Sequence, residues 1–164
     1  MKRNNKALFI THAAIIAALY VVLTYFASML GLSNGAIQIR FSEALTILPY
    51  FTPAAIPGLF IGCIISNLLA GAILWDVVFG SLATLIGAVF TYLLRKKTRW
   101  LAPLPPIAAN TTIVPLVLTY AYGVPDGIGF LMLTVGIGEV ISCGILGMLL
   151  LKCLEKHRNH IFGS

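Results

Sequence analysis

The chain has 164 residues, of which 59% are hydrophobic and 10% are charged, and its mean hydropathy is +0.97. A soluble domain of this size has no core large enough to bury so much apolar surface, so the composition predicts a protein immersed in lipid. The apolar runs are about 20 residues long, as spanning helices require, whereas barrel strands need alternating segments of about 10 residues. We therefore predict an all-α integral membrane protein, with residues 1–164 forming a single transmembrane domain.

The net charge of +6 is concentrated in three clusters, which precede the first apolar run, occupy one short loop and close the chain (Lys2, Arg3, Lys6; Arg95, Lys96, Lys97, Arg99; Lys152, Lys156, Arg158). With six helices and an N-terminus inside the cell, all three clusters are cytoplasmic, as the positive-inside rule expects. This agreement predicts six transmembrane helices in the cell membrane with both termini in the cytoplasm. It also argues against nucleic acid as a partner.

The first predicted helix runs from about residue 7 to residue 30. A basic start and an apolar run also describe a signal peptide, but this run is longer than a typical signal sequence. Two overlapping pairs of small residues lie on the helix, Ala13 with Ala17 and Ala14 with Ala18. Such pairs allow another helix to approach closely, and that helix could belong to a partner protein or to this chain.

Prolines divide the next apolar stretch into a short helix, an inner turn and a third helix. Pro49, Pro53 and Pro57 fix the backbone and remove hydrogen-bond donors, which forces the turn. The second helix is predicted over about residues 41–51 and the third over about residues 54–71. The second is too short to cross a bilayer upright, so we expect it to be tilted or shielded by its neighbours.

Three more helices complete the predicted bundle. The fourth begins at Asp76, where an acidic side chain suits a helix N-terminus, and descends to Leu94. The fifth follows a proline-rich connection and rises to about Tyr122. The sixth descends from about Ile128 to Leu154 and is rich in glycine.

Polar and aromatic side chains predict a wedge that opens outward and ends near the middle of the membrane. Ionisable groups at such depth are costly and indicate a functional site. Glu139 and Asn110 each lie eleven or twelve residues below the outer end of their helices, which places them at similar depth. The full set of candidates is Arg40, Glu43, Asn67, Trp75, Asp76, Asn110, Tyr120 and Glu139.

Several of these residues also have structural interpretations. Arg40 and Glu43 are three residues apart and could simply pair with each other. Asp76 and Asp126 could be helix-start residues in wet loops, and the aromatic residues could belong to the interfacial belt. Cys63 and Cys143, both within apolar helices, are expected to be small apolar fillers rather than disulfide partners.

Enzymatic and metal-binding motifs find little support. His12, His157 and His160 have no metal-ligand spacing, and no serine lies in a nucleophile elbow. The sequence also has no phosphate-binding G-x-x-x-x-G-K-[ST] motif. We therefore expect no catalytic residue, metal or cofactor in this chain. Active transport would need energy from another protein or from an ion gradient.

Three segments together resemble the queuosine-precursor transporter family, QueT. They are QIRFSEALTILPYFTPAAIPGLFIGCIISNLLAG, WDVVFGSLATLIGAVFTYLLR and LAPLPPIAAN. The resemblance implies a substrate-binding S component of an energy-coupling factor (ECF) importer, working with one transmembrane subunit and two ATPases that use ATP. It further implies that the small residues of the first helix contact the transmembrane subunit, namely Ala13, Ala14, Ala17 and Ala18.

The implied substrate is a 7-deazaguanine such as 7-aminomethyl-7-deazaguanine or queuine. Its pyrimidine edge offers adjacent N–H donors, which a carboxylate and an asparagine can read. We expect Glu139 and Asn110 to bind that edge, and Asn67, Glu43 and Asp76 to line the upper wedge near the cationic amine. Trp75 or Tyr120 would stack on the base. The alternatives are an S component for another vitamin, a carrier that works alone, and, in a different class, a membrane enzyme or scaffold.

Overall fold

The computed structural model describes residues 5–32, 38–157 and 161. Lys2, Arg3 and Arg158 of the basic clusters, and His160, lie outside the described residues. The described residues form helices and connecting turns, with no β-strand among them. The α-helices are α1 (Asn5–Met29), α2 (Ala55–Leu69), α3 (Leu74–Leu94), α4 (Leu104–Tyr120), α5 (Ile128–Glu139) and α6 (Gly147–Glu155).

Within the described part of the chain, four helical stretches are long and apolar enough to cross a membrane, namely Lys6–Met29, Leu74–Leu94, Arg99–Tyr120 and Ile128–Glu155. The last of these combines α5, a π-helical segment (Val140–Leu146) and α6 into one continuous helix. The shorter apolar α2 and a 3-10 helix (Phe41–Tyr50) supply the two remaining segments. The predicted all-α membrane fold with six segments and a short second helix is confirmed.

The second segment differs from the prediction in its winding, because it is a 3-10 helix of ten residues rather than an α-helix. At about 2.0 Å rise per residue, it spans about 20 Å, against about 15 Å for an α-helix of the same length. All its residues from Ser42 to Pro49 are buried. The segment is therefore both stretched and shielded by its neighbours, so its short length does not expose it to lipid.

The contacts between α1 and α2 show that these two helices are parallel. The chain must therefore cross back through the bundle after α1 and before α2. A Cβ atom added at Gly58 would lie 2.7 Å from the carbonyl oxygen of Ala13, and one at Gly62 would lie 3.0 Å from that of Ala17. Both contacts are 45 residues apart in sequence, so the two helices run in the same direction. The 3-10 helix returns the chain across the bundle between them.

One end of the bundle carries the described basic clusters. Arg99, which follows α3, forms a salt bridge of 3.1 Å with Glu155 at the end of α6. The pair brings the α3–α4 connection, with its four basic residues, next to the basic end of the last helix. Trp100 is exposed beside the pair, as expected of an aromatic side chain at a membrane interface.

Candidate substrate-binding site

The centre of the candidate site is the carboxylate of Glu43, in the first turn of the 3-10 helix. This side chain is 2% exposed. Its Oε1 accepts a hydrogen bond from the hydroxyl of Tyr20 on α1 at 2.5 Å, and its Oε2 accepts one from Nδ2 of Asn110 on α4 at 3.3 Å. Three segments that are distant in sequence therefore meet at one buried carboxylate, and each of its oxygens has a partner.

Glu139 lies at the last residue of α5 and is buried beside this centre. Its Oε2 accepts a hydrogen bond from Sγ of Cys143 at 3.1 Å. The same thiol lies 3.4 Å from the backbone oxygen of Glu43 and 3.3 Å from Oγ1 of Thr46. Cys143 thus belongs to a polar cluster, which corrects its interpretation as an apolar filler.

The π-helical segment explains how one helix presents several polar groups to the 3-10 helix. It begins directly after Glu139 and includes Ser142 and Cys143, both of which are buried. Oγ of Ser142 accepts a hydrogen bond from the backbone N–H of Arg40 at 3.2 Å. Single π-helical turns are common at functional sites because they alter the direction of the side chains on either side.

One oxygen each of Glu43 and Glu139 and the sulfur of Cys143 lie within 4.8 Å of one another. Two carboxylates and a thiol are a donor set that a metal ion could use. Both oxygens of Glu43, Oε2 of Glu139 and the thiol already have hydrogen-bond partners in the protein. These hydrogen bonds connect the cluster to the protein around it.

Two cavities adjoin this cluster. The inner pocket, about 20 Å³, is lined by Gln38, Arg40, Asn110, Val114, Val135 and Glu139. The outer cavity, about 880 Å³, has a mainly apolar wall from α1 and a polar side formed by Gln38, Arg40, Ser66, Asn67, Asp76 and Tyr122. Gln38 and Arg40 line both cavities, so these two side chains separate the outer space from the inner one.

Asp76, in the first turn of α3, is held at the outer cavity by Tyr122, which lies in the connection after α4. Its Oδ2 accepts a hydrogen bond from the hydroxyl of Tyr122 at 3.0 Å. Partial burial raises the pKa of Tyr122, and the negative charge of Asp76 raises this pKa further. The hydroxyl therefore stays protonated at neutral pH and remains a donor to Asp76. Asp76 therefore lines the outer cavity with its carboxyl group fixed by this hydrogen bond.

The structure brings together some of the predicted residues and separates others. Asn110 and Glu139 line the inner pocket, while Asn67 and Asp76 line the outer cavity. Glu43 lies deeper than expected, because it contacts Asn110 rather than the upper wedge. Trp75 and Tyr120 are 61% and 80% exposed and line neither cavity.

Stacking of Trp75 or Tyr120 on a ligand therefore stays a prediction, which their exposed positions outside both cavities do not favour. Trp75 instead stacks on Phe79, one turn along α3, with ring centroids 5.9 Å apart. Tyr122 is the aromatic side chain that reaches the outer cavity. The suggested pairing of Arg40 with Glu43 is also absent from the salt bridges of the described residues.

The alanine pairs of α1 divide between the interior and the surface. Ala13 and Ala17 have their backbones against Gly58 and Gly62 of α2, whereas Ala14 and Ala18 are exposed. Contact of the four alanines with a partner stays a prediction, and it is favoured for Ala14 and Ala18 because α2 packs against the backbone of Ala13 and Ala17.

Sequence reasoning missed Tyr20 and the polar role of Cys143. Tyr20 follows Ala13 and Ala17 at helical spacing, so it lies on the same stripe that packs against α2. Once Ala13 and Ala17 are assigned to internal packing, this spacing predicts that Tyr20 also faces the interior. Cys143 follows Glu139 by one helical turn, a spacing that brings two side chains together.

Comparison with known proteins assigns the chain to a family. A family model described as "QueT transporter" matches residues 10–156. The curated protein "Queuosine precursor transporter QueT" of Lactococcus lactis subsp. cremoris (strain MG1363) is 41% identical over 85 residues, which cover 51% of this chain. The match spans about half, 49%, of the length of that relative. No solved structure matches the chain.

The family consists of transporters rather than enzymes, which agrees with a multi-pass bundle whose polar groups converge on two adjoining cavities. Since the family model matches most of the chain, this protein belongs to the QueT transporter family.

Proposed function

We propose that the protein captures a queuosine precursor, a 7-deazaguanine such as 7-aminomethyl-7-deazaguanine or queuine, from outside the cell. Membership in the QueT transporter family and the name of the Lactococcus relative support this substrate class. The observation that carries the proposal is the junction of a roomy outer cavity with an inner pocket that contains Asn110 and Glu139. A base that offers N–H donors along one edge fits such a pocket.

The sizes of the two cavities determine how such a ligand would lie. A volume of about 20 Å³ holds a group the size of a water molecule, whereas about 880 Å³ is ample for a substituted bicyclic base. The ring therefore occupies the outer cavity, and its pyrimidine edge points toward Asn110 and Glu139. Gln38 and Arg40 move aside to let that edge enter, since both line the boundary between the cavities.

The charge of the ligand's amine suits the acidic group of the outer cavity. Asp76 is half-buried there and is held by Tyr122. A carboxylate in a partly desolvated site attracts an ammonium group more strongly than it would in water. We assign Asp76 to the amine, Asn67 to the polar wall of the same cavity, and Arg40 to the boundary beside the two buried carboxylates.

In this proposal the chain is the S subunit of an ECF importer, with both termini in the cytoplasm. Energy comes from ATP hydrolysed by two partner ATPases, which act through a partner transmembrane subunit. Ala14 and Ala18 are exposed on α1 and leave room for a helix of that subunit to approach closely. The chain itself then needs no cofactor.

Thermal-shift and native mass spectrometry measurements on the purified protein test the substrate. The ligands are 7-aminomethyl-7-deazaguanine, queuine, guanine, biotin, thiamine and riboflavin. We expect stabilisation by the two deazaguanines. Preferential stabilisation by a vitamin would contradict the proposal and favour an S component for that vitamin.

Uptake measured in cells with and without a co-expressed ECF module, meaning the partner transmembrane subunit and the two ATPases, tests the mode of transport. We expect uptake that depends on the module and on its ATPase activity. Uptake without any ATPase would support a carrier that works alone. Ligand binding without uptake in either case would favour a membrane enzyme or scaffold.

A further inference from the structure

The amide of Asn110 turns its NH₂ group toward the carboxyl group of Glu43. A hydrogen bond from Nδ2 of Asn110 to Oε2 of Glu43 holds the amide in this orientation. The distance of 3.3 Å between Nδ2 of Asn110 and Oε2 of Glu43 reflects this arrangement. The carbonyl oxygen, Oδ1, then lies on the opposite side of the planar amide.

Glu43 is in turn fixed by Tyr20, which is 1% exposed and donates to Oε1 at 2.5 Å. A buried tyrosine hydroxyl needs a hydrogen-bond partner, and Glu43 is that partner. The ring of Tyr20 is confined by the contact between α1 and α2, because a Cβ atom added at Gly62 would lie 2.8 Å from the Cβ of Tyr20. The three side chains form a continuous series from the α1–α2 contact to the inner pocket.

We propose that Tyr20 and Glu43 are positioning residues that set the hydrogen-bonding character of the inner pocket. By fixing the Asn110 amide, they leave Oδ1 of Asn110 and the carboxylate of Glu139 as two acceptors for the ligand. The pocket then selects a base edge with two adjacent N–H donors. This inference rests on the proposed function and names the residues that determine its specificity.

The selection has a simple energetic origin. A ligand with two donors satisfies both acceptors, whereas a ligand with one donor leaves a buried acceptor unpaired. Sites built to bind a donor reject analogues that lack it far more strongly than apolar pockets reject a missing methylene group. Without Tyr20 or Glu43, the amide of Asn110 can turn over and present its NH₂ group to the ligand instead. The preference for a ligand with two donors over a ligand with one donor then falls.

A matched pair of ligands tests the proposal. The first is 7-aminomethyl-7-deazaguanine, and the second is 7-aminomethyl-7-deazahypoxanthine, which lacks the 2-amino donor. For the parent protein we expect the first to bind roughly 10- to 100-fold more tightly in calorimetry. For Tyr20→Phe and for Glu43→Gln we expect the ratio of the affinities for the first and second ligands to fall at least about threefold, toward one. Adding Tyr20→Phe to Glu43→Gln should change the ratio no further.

Two glycine variants separate positioning from a general loss of packing. Gly62→Ala displaces Tyr20, whereas the atoms nearest to an added Cβ at Gly58 belong to Ala13 and Ile16 in the same helix contact. Both should lower the melting temperature, but Gly62→Ala alone should reduce the ratio of affinities. An equal loss of affinity for both ligands in all variants would mean a structural role and would overturn the inference.

The outcome for the parent protein keeps the two proposals apart. If the parent binds neither base, the proposed function is wrong and the inference falls with it. If the parent discriminates between the bases and Tyr20→Phe discriminates equally well, the proposed function stands and the inference alone is wrong.

Discussion

Asn110 and Glu43 are joined by a hydrogen bond of 3.3 Å although 67 residues separate them in the sequence. The bond connects the middle of α4 to the start of the 3-10 helix. It lies beside the inner pocket, where Asn110 shares the lining with Glu139. Substitutions on either side of this bond therefore give the sharpest tests of the site.

Glu139→Gln should weaken binding of 7-aminomethyl-7-deazaguanine. Glu139 is 8% exposed, so replacing an acceptor oxygen with an NH₂ group sets donor against donor in a dry pocket. The cost should be on the order of 2–4 kcal/mol, or roughly 30- to 1,000-fold in affinity by calorimetry. Asp126→Asn is the control, because Asp126 is exposed and its charge is screened.

A particular pattern of results would contradict the assignment of Glu139. If Glu139→Gln binds like the parent while Asp76→Asn does not, the base lies in the outer cavity alone. Glu139 would then be a structural partner of Cys143.

Asp76→Asn should weaken the binding of a ligand that carries a cationic amine and leave the binding of a ligand without the amine nearly unchanged. We expect affinity for 7-aminomethyl-7-deazaguanine to fall about 3- to 10-fold, since a half-buried ion pair is worth more than an exposed one. Affinity for 7-deazaguanine, which has no amine, should stay within about twofold. Tyr122→Phe, which removes the hydroxyl that holds Asp76, should give a smaller effect in the same direction. Equal losses for both ligands would rule out an ionic contact with the amine.

Tryptophan substitutions on α1 should separate partner contact from internal packing. Ala14→Trp and Ala18→Trp alter exposed positions, so we expect normal ligand binding but loss of module-dependent uptake. Ala17→Trp alters a position whose backbone contacts α2, so it should lower the melting temperature and impair binding. Full uptake by the Ala14 and Ala18 variants would show that this face contacts lipid rather than a subunit.

Cysteine labelling should determine the orientation in the membrane. Replacing exposed Cys153 by serine leaves Cys63 and Cys143, both buried, as the background. Thr98→Cys and Asp126→Cys then place single exposed thiols in connections at the two ends of the bundle. An impermeant maleimide applied to intact cells should label position 126 and not position 98. Labelling of both from the same side would refute the six-segment topology.

Gly87→Ala should destabilise the contact between α3 and α4. A Cβ atom at this position would lie 2.7 Å from Cα of Pro106, a backbone atom that cannot move aside cheaply. Overpacking of this kind costs about 1–3 kcal/mol and should appear as a lower melting temperature in detergent. Gly129→Ala on α5 is the matched control, because no atom lies within 4 Å of its added Cβ. Equal melting temperatures for the two variants would mean that α4 can shift.

The sequence was sufficient to predict the number of segments and the shared depth of Asn110 and Glu139. The length of the apolar runs follows from the requirement that a chain in lipid satisfy its own backbone hydrogen bonds. The prolines mark the turns, and the basic clusters follow the positive-inside rule. Helical rise then fixes depth along each segment. The winding of Phe41–Tyr50 could not be predicted in this way, since a short buried segment has no periodicity that separates a 3-10 helix from an α-helix.

The partners of Glu43 were also beyond local reasoning. Tyr20 looks like one more aromatic residue of an apolar helix until the packing of α1 against α2 directs it inward. Trp75 and Tyr120 have the residue type that stacks on bases, but their helix faces are exposed. Such distinctions depend on rotation about the helix axis, which contacts between segments decide.

The 3-10 winding also makes the site sensitive to the register of the chain. With three residues per turn, Glu43, Thr46 and Pro49 lie one above another along a single edge of the segment. Deleting one residue between Glu43 and Thr46 would rotate Glu43 by about 120° relative to the rest of the segment and carry its carboxyl group away from Tyr20 and Asn110. The same deletion in the exposed connection at residues 123–127 would be absorbed by the loop. Relatives that share this site should therefore vary in the length of their connections but keep the length of this segment constant.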